Sequence, residues 1–360
     1  MTTQTVAPQA GVQAAEEYFG EVPANIAVVG VGGGGCNAVI RMMRERSVPG
    51  VKYVCVNTDI KSLERSKQSG ATVVQIGARF TRGMGAGGDP DVGSRSAEME
   101  RLALKRALGD PDLVFITAGM GGGTGTGAAP VVAEVAKSTH ALVVGLVTTP
   151  FAWEGSRRLD MALSGASRLK EKVDNLIIIH NDRLIDLLGK DISMEEALIR
   201  ADEAVMYGLL SVAELVNVPG EINVDLADVN SMMKIPGLAL MAIGEASAPN
   251  GALEAAKKAV SNPLLHISID GAKGILFCVN GGSKLTLGDV NDAGEHIAAR
   301  VDQRAAIFFG MVNDERMADR VRVTVIATGI PDARLDAATT APAQGQTAPA
   351  APSAPHAAFL

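Results

Sequence analysis

The sequence predicts an α/β protein with an open, mostly parallel sheet, a long central helix and a smaller second domain with a mixed sheet. Apolar runs alternate with helix-like segments from Asn25 to Ile179, which is the order of successive βαβ units. Hydrophobic residues make up 47% of the chain and aromatic residues only 3%, so an aliphatic core covered by helices is expected. Later in the chain two apolar runs follow each other directly, which favours a mixed sheet.

The first part of the chain supplies the parallel sheet. Each predicted strand is a short apolar run, and each predicted helix has apolar residues at helical spacing. The predicted order is strand 26–29, helix 37–46, strand 53–56, a glycine-rich loop 83–88, helix 94–108, strand 113–117, helix 126–137, strand 142–147, helix 154–172 and strand 176–179. Pro130 is expected in the first turn of its helix, where its missing N–H costs nothing.

A long helix separates the two predicted domains. Ser193 and Glu196 form an S-x-x-E capping box at the start of a helix that is expected to reach about residue 216. The predicted elements that follow are helix 228–233, strand 238–244, helix 253–260, strand 274–279, helix 290–301 and strands 306–311 and 321–327. The predicted boundaries are 24–192 for the first domain, 193–217 for the central helix and 218–330 for the second domain. Residues 1–23 and the Ala/Pro-rich residues 331–360 are predicted to be disordered.

Charge and composition argue against several classes of function. A net charge of -7 argues against nucleic acid as a partner, because binding to its phosphates requires clustered Lys and Arg. No apolar run approaches the roughly 18 residues of a membrane span, and residues 1–19 lack a secretory signal. A cytoplasmic protein without direct membrane insertion is therefore expected. The three cysteines and five histidines are scattered along the chain, so neither a disulfide nor a protein-bound metal site is predicted.

Residues 117–130 read TAGMGGGTGTGAAP and lie between a predicted strand and a predicted helix. Glycine loses more backbone entropy on folding than any other residue and contributes no side-chain packing, so these glycines are not expected to fill a core. A ligand is instead expected to approach the main chain closely. An anion held by N–H groups at the start of the helix is the first candidate.

Another glycine-rich segment, Gly30 to Gly35, matches G-x-G-x-x-G between a strand and a helix, which is the dinucleotide fingerprint. We call it the first glycine turn, and Gly119 to Gly127 the second glycine turn. An NAD-dependent oxidoreductase would use Asp59 for the ribose hydroxyls, and the plain alternative is tight packing of helix against strand. Neither explains the second glycine turn, whereas two such turns can hold a polyphosphate. No G-x-x-x-x-G-K-[ST] motif occurs, so a P-loop is not predicted.

Together the two glycine turns resemble the tubulin superfamily, and the flanking segments are similar to its bacterial FtsZ family. The similarity runs from about Asn25 to Gly329. It includes VNTD at 56–59, TRGMGAG at 81–87, TPF at 149–151, EG at 154–155, NDR at 181–183, GLALM at 237–241, GEA at 244–246, GAKG at 271–274 and VTVIATG at 323–329. The resemblance implies a GTPase domain of tubulin/FtsZ type that binds GTP or GDP.

The resemblance also implies the roles of individual residues. The α- and β-phosphates would be lined by Gly33, Gly34, Gly35, Cys36 and Asn37, and the β- and γ-phosphates by Gly121, Gly122, Gly123, Thr124, Gly125 and Thr126. Because neither turn contains Lys or Arg, Mg²⁺ bound through the phosphates is expected to neutralise their oxygens. Glu154 and Arg158, four residues apart, would hold the ribose, with an ordinary surface ion pair as the alternative. Asn181 and Asp202 would read the guanine edge, although Asp202 alone is typical of a helix-surface carboxylate.

An acidic segment after the long helix contains the candidate catalytic residues Asn223, Asp225 and Asp228. The two acids share a face if a helix begins there, and they could orient and polarise a water for attack on a γ-phosphate. The plain alternative is that Asp225 caps that helix. The resemblance implies that this segment inserts into the nucleotide site of the next subunit, so that hydrolysis occurs only between subunits.

The resemblance therefore implies a linear homopolymer that forms a cytokinetic ring at midcell, with membrane-anchor and division-regulator proteins as partners. Some positions depart from the family pattern: Leu198 replaces a common Phe, His180 a common Pro and Cys36 a common Gly. The final stretch APHAAFL has no Arg or Lys, unlike the usual docking peptide. A paralogous filament that moves plasmids or shapes cells is the alternative.

Overall fold

The computed structural model describes residues 24–45, 47–48, 50–183, 193–217, 222, 224–247, 250–262, 268–282 and 285–330. The segments 1–23 and 331–360, predicted to be disordered, lie outside the described residues, as does Asn223. The predicted domain boundaries stay predictions.

Six strands form the parallel part of the sheet. They are β1 (Ile26–Val31), β2 (Val51–Asn57), β3 (Thr72–Gln75), β4 (Leu113–Gly119), β5 (Leu142–Thr149) and β6 (Asn175–His180). Their spatial order is β3-β2-β1-β4-β5-β6, and every neighbouring pair is parallel. The carboxyl ends of these strands therefore meet at one edge, which is where ligands bind in open α/β sheets.

Helices cover both faces of this parallel part, as predicted. They are α1 (Gly32–Glu45), α2 (Ile60–Gln68), α3 (Ala78–Thr81), α4 (Pro90–Met99), α5 (Arg101–Leu108), α6 (Thr124–Lys137) and α7 (Ser156–Lys170). Consecutive β1 residues such as Val28 and Val29 belong to separate buried clusters, one on each face of the sheet. Strand β1 is buried along its whole length, as expected for a central parallel strand.

The remaining elements form the mixed part of the sheet. They are α8 (Met194–Asn217), α9 (Leu226–Met233), β7 (Leu238–Ser247), α10 (Gly251–Val260), β8 (Gly274–Gly281), α11 (Leu287–Ala298), β9 (Ala306–Asn313) and β10 (Arg320–Ile330). Strand β10 runs antiparallel to β7 and β8, whereas β8 and β9 are parallel, so the predicted mixed sheet is confirmed. One pair, Ile177 with Ala239, joins both parts into a sheet of ten strands.

The central helix α8 joins the two parts of the fold. The Ser193 hydroxyl accepts a hydrogen bond from the Glu196 N–H at 3.2 Å, so the predicted N-terminal cap is present. Buried α8 residues share one apolar cluster with Val28 of the parallel part and Ile326 of the mixed part. Helix α8 therefore packs against both parts of the fold.

Several element boundaries differ from the prediction. Helix α1 begins at Gly32 rather than near residue 37, and α6 begins at Thr124, which places Pro130 beyond the first turn. Glycine has poor helix propensity, so the sequence pattern placed both starts too late. The predicted helix 94–108 is two helices that meet at Glu100, a break that the apolar periodicity does not signal.

Other differences concern short elements. The predicted helix 154–172 is a 3₁₀ turn, Ala152–Glu154, followed by α7, and Gly155 between them has a φ of 98°. Such a positive φ favours glycine and interrupts a helix. Elements α2, β3 and α3 were not predicted. Within the described ranges, no helix combines the length and apolarity needed to cross a membrane.

Candidate nucleotide site

The first glycine turn is the start of α1 itself. The helix follows β1 without a loop, and Gly32 has a φ of 74°. The first N–H groups of a helix have no partner within it, and the helix dipole makes this end positive. Gly33 and Gly34 are exposed, and a Cβ built on Gly33 meets no atom within 4 Å. Open space, unpaired donors and positive potential therefore coincide at one point, as anion binding requires.

Two glycines of the first turn are needed for packing instead. A Cβ on Gly30 would lie 2.4 Å from the carbonyl oxygen of Gly35, and a Cβ on Gly35 would lie 2.2 Å from that of Thr117. The plain alternative, tight packing of helix against strand, thus explains both positions. Gly35 is buried, and its predicted phosphate contact stays a prediction.

The second glycine turn links β4 to α6 and is fixed by a hydrogen bond. Gly121 has a φ of 93°, and its N–H donates to the Thr126 hydroxyl at 2.8 Å. Because Thr126 is 0% exposed, its side chain shapes the turn and does not face a ligand. Gly122 is partly exposed, and a Cβ there meets no atom within 4 Å. Gly122 is therefore the open position of this turn.

The expectation that these glycines do not fill a core is wrong for part of the turn. A Cβ on Gly123 would lie 2.8 Å from the backbone nitrogen of Asp89, and one on Gly125 would lie 2.6 Å from the carbonyl oxygen of Gly119. Both glycines are buried. Their lack of a side chain allows backbone segments to pack against each other, a use of glycine that a sequence pattern does not distinguish from ligand approach.

The two glycine turns touch. A Cβ on Gly32 would lie 2.7 Å from the Gly125 nitrogen, and one on Gly34 would lie 3.4 Å from the Gly119 Cα. The N-termini of α1 and α6 are therefore neighbours, and the positive ends of two helix dipoles converge on the same edge of the sheet.

A third loop, after β2, supports the second turn. The hydroxyls of Thr58 and Thr124 lie 2.7 Å apart, and the Asn57 side-chain oxygen accepts from the Thr58 N–H at 2.8 Å. Thr58 was not predicted as a site residue. A polar residue just after a buried strand, at the ligand-binding edge of a parallel sheet, was the signal that could have identified it.

Asp59 has a different role from the one that an oxidoreductase would require. Its carboxylate caps α2 by accepting from the N–H groups of Lys61 at 3.3 Å and Ser62 at 3.2 Å. The local structure therefore explains Asp59 without a ribose.

The predicted ribose residues lie beside the second glycine turn. Arg158 pairs with Glu154 at 2.9 Å, and the other Glu154 oxygen accepts from the Phe151 N–H at 2.9 Å. The two residues are in consecutive helical segments rather than one continuous helix. A Cβ on Gly121 would lie 2.8 Å from the Arg158 Cγ. The surface ion pair exists, and its arginine stem also lies against the turn.

The predicted base residues include a carboxylate in a pocket. Asp202 and Asn37 line a pocket of about 350 Å³, together with Leu198. Asp202 pairs with Arg41 at 3.5 Å, yet burial outweighs this attraction and raises the pKa of Asp202 to about 6. Asn181 is 6% exposed, and its side-chain oxygen has no hydrogen-bond partner among the described residues. A buried acceptor without a partner is costly, so this oxygen is suited to a ligand donor.

The predicted catalytic acids lie at the start of α9. The Asp225 carboxylate accepts from the Asp228 N–H at 2.8 Å, so the plain alternative, a helix cap, is confirmed. Helix α9 packs against β8 of the mixed part. Among the described residues, neither acid forms a hydrogen bond or ion pair with the glycine turns.

Comparison with known proteins decides the family. The family described as "Tubulin/FtsZ family, GTPase domain" matches residues 25–189, and "FtsZ family, C-terminal domain" matches residues 237–331. A solved structure titled "FtsZ dimer, empty", from M. jannaschii, is 40% identical, with a TM-score of 0.83 over 89% of this chain and 93% of that chain. This chain belongs to the FtsZ family.

More distant relatives share the fold of this FtsZ-family chain. CetZ2 from Haloferax volcanii, solved as a "GTPgS bound protofilament", is 23% identical, with a TM-score of 0.73 over 87% of this chain and 96% of that chain. The FtsZ family consists of GTPases, and the matched GTPase domain contains both glycine turns. Sequence resemblance and fold therefore agree on the α/β architecture.

The described side chains are not arranged as a metal centre held by the protein alone. In the parts of the chain that the structure describes, His, Cys, Asp and Glu side chains form no group of three or more able to hold a metal ion. The Cys36 thiol is also not at the ligand face: it is 0% exposed and bonds the carbonyl oxygens of Gly30 at 3.6 Å and Val56 at 3.8 Å. Any Cys36 contact with phosphate is limited to its backbone.

Proposed function

We propose that this chain binds and hydrolyses GTP, and that it polymerises head-to-tail into filaments whose active sites are completed between subunits. The observation that supports this most strongly is the contact between the two glycine turns. It brings together the N-termini of α1 and α6, while Gly33 and Gly122 leave open space. Two such ends suit a chain of phosphates better than a single anion.

The free energy that two helix N-termini can contribute to binding favours a polyphosphate over a single anion. One helix terminus contributes about 0.3–2 kcal/mol toward an anion, and each hydrogen bond to a charged group adds about 1.5–3 kcal/mol. In this proposal the first glycine turn holds the α- and β-phosphates and the second holds the β- and γ-phosphates. Arg158 with Glu154 contacts the ribose, and Asn181 with Asp202 contacts the guanine.

Hydrolysis is assigned to the acids at the start of α9. Asp228 and Asp225 would orient a water for in-line attack, a reaction that depends on position and charge compensation. Magnesium ion, carried on the phosphate oxygens, would neutralise charge as the terminal phosphate leaves. The donor set fits this role, since the turns offer N–H groups and the Thr124 hydroxyl, the loop after β2 offers the Thr58 hydroxyl, and the described residues form no carboxylate cage.

The polymer follows from the separation of these parts. Within one chain the acids of α9 make no described contact with the glycine turns, so a second subunit would supply them. Contact between two different surfaces is heterologous and generates a linear filament when it does not close. Two relatives, solved as an FtsZ dimer and as a CetZ2 protofilament, support self-association.

The biological setting is proposed from the family. A cytoplasmic filament at the midcell division ring, linked to membrane-anchor and regulator proteins, is the role that FtsZ membership favours. The alternative is a filament that moves plasmids or shapes cells. A fluorescent fusion in the native cell separates the two, because only the first forms a band at midcell before constriction.

Light scattering and phosphate release test the activity together. With GTP and Mg²⁺, scattering should rise within minutes, and phosphate should appear only at protein concentrations that scatter. GDP is the matched control and should give neither signal. Phosphate release from GTP at protein concentrations that give no rise in scattering would contradict hydrolysis between subunits.

A further inference from the structure

Two cysteines meet beneath the first glycine turn. Cys36 lies just after the glycines of α1, Cys55 lies in β2, and both are 0% exposed. The strand register pairs Cys55 with Gly30, whose carbonyl oxygen is in contact with the Cys36 thiol. The Cys36 thiol also lies 3.8 Å from the carbonyl oxygen of Val56, the residue after Cys55, and both cysteines belong to the same buried cluster. The tight packing of Gly35 against Thr117 is what brings the helix close enough to the sheet for this contact.

The contact makes the two sulfurs unequal. The interaction with Cys36 lowers the pKa of Cys55, and the same interaction together with burial raises the pKa of Cys36. A thiolate is the nucleophilic form of cysteine. Cys55 is therefore the sulfur suited to attack an oxidant, with Cys36 beside it as the resolving thiol.

The turn above the pair has the lowest intrinsic helix propensity in α1. Gly32 to Gly35 form the first helical turn, and each glycine in a helix is less stable than alanine by about 0.5–1 kcal/mol. Gly33 and Gly34 are already exposed. Local opening of such a weak helix end would admit a small oxidant without unfolding the domain.

We propose that Cys36 and Cys55 form a redox-sensitive pair that closes to a disulfide when a peroxide enters through the opened first glycine turn. The Cys55 thiolate attacks one peroxide oxygen, the O–O bond breaks, and a sulfenic acid and water form. The Cys36 thiol then loses its proton and its sulfur attacks the Cys55 sulfur, so that the S–O bond breaks and a second water leaves. In total, two thiols and one hydrogen peroxide give one disulfide and two waters.

The pair is coupled to nucleotide, a consequence that rests on the proposed function. An S–S bond of roughly 2.05 Å is shorter than any hydrogen-bonded contact, so its formation draws the start of α1 toward β2. The N–H groups of Gly33 and Gly34 are displaced from a bound phosphate by that movement. Nucleotide therefore opposes the disulfide, and by linkage the disulfide weakens nucleotide binding by the same factor.

Peptide mass mapping tests the pair directly. Nucleotide-free protein is treated with hydrogen peroxide under native conditions, alkylated, digested and mapped. A cross-linked peptide containing Cys36 and Cys55, lighter by about two hydrogens and reversed by dithiothreitol, is the expected product. Cys278, also buried but in β8, is the matched control, so Cys278→Ser should leave the yield unchanged and Cys36→Ser should abolish it.

A second arm adds saturating GDP, with occupancy measured separately by equilibrium dialysis. Cross-linking should slow at least tenfold, and the oxidised protein should bind GDP more weakly. The pair is refuted if peroxide-treated, nucleotide-free protein contains no Cys36–Cys55 peptide or oxidises Cys278 equally fast. Equal cross-linking rates at confirmed GDP occupancy would overturn the access route. If GDP does not bind at all, the proposed function fails, while the first arm still decides the pair.

Discussion

At the scale of single residues, glycine has two distinct roles in this site. Gly35 and Gly125 allow backbone segments to approach each other, whereas Gly33 and Gly122 border open space. The sequence predicted that the glycine turns matter, but it could not separate these roles, because both leave the same residue type in the same pattern. Only the distance from a hypothetical Cβ to its neighbours distinguishes them.

A pair of alanine substitutions tests this division. Gly35→Ala places a methyl group 2.2 Å from the Thr117 carbonyl oxygen, so the free energy of unfolding should fall by about 3 kcal/mol or more. Gly33→Ala meets open space and should change it by less than about 1 kcal/mol, yet GDP affinity should fall at least about tenfold. Urea unfolding and calorimetric titration measure the two effects. Normal GDP affinity in Gly33→Ala would contradict the proposal that this turn binds a phosphate.

The pKa of Asp202 predicts a pH dependence at the residue scale. The folded protein raises this pKa from 3.8 to about 6. Without nucleotide, the resulting stability is fully present below pH 3.8 and is lost as pH rises through about 6. If Asp202 accepts hydrogen bonds from the guanine N–H groups, as proposed, the carboxylate must be ionised, so GDP affinity should weaken below about pH 6, by up to about tenfold per pH unit.

Asp202→Asn is the control for that titration, because the phosphates of GDP also titrate near pH 6. The variant should bind more weakly at neutral pH and should keep only the slope that comes from phosphate. Identical pH slopes in both proteins, measured by calorimetry from pH 5 to 8, would exclude Asp202 from guanine recognition.

At the scale of elements, the order of strands and helices was predictable, and their starts were not. Short, continuous apolar runs identified β1, β4 and β5, because a strand buried on both faces has few polar residues. Helix α1 begins with four glycines, and α6 begins with alternating threonine and glycine; both residue types have poor helix propensity. Tertiary packing stabilises these turns instead, through contacts such as Gly127 with Pro90, and such contacts are absent from a local sequence pattern.

The cap of α9 allows an element-scale prediction. Asp225→Ala removes the acceptor for the Asp228 N–H and should cost about 1 kcal/mol of unfolding free energy, whereas Asp225→Asn keeps a good N-cap. If the carboxylate serves hydrolysis, both variants should lose GTP turnover by about a hundredfold. Thermal unfolding and phosphate release separate the effects. Normal GTP turnover in the stable Asp225→Asn variant would show that Asp225 only caps α9 and takes no part in hydrolysis.

At the scale of the whole molecule, the predicted phosphate-binding turns and the predicted catalytic acids lie in different parts of the fold. The parallel part of the sheet carries the glycine turns and the mixed part carries α9, with α8 between them. Sequence spacing alone predicts neither that the two glycine turns touch nor that the acids of α9 lie apart from them, because both depend on the tertiary fold. The resemblance to a family supplied the expectation of a shared site, and the described contacts are compatible with it.

Mixing two inactive variants tests the shared site most directly. Asp228→Ala keeps its nucleotide turns, and Gly33→Phe places a large side chain at a position where an added Cβ meets no atom within 4 Å. Each variant alone should release almost no phosphate. In an equimolar mixture about a quarter of the junctions would combine an intact nucleotide turn with an intact acid from the next subunit, so phosphate release should recover to about that fraction of wild type. A mixture no more active than the sum of its separate components would contradict an active site made by two subunits.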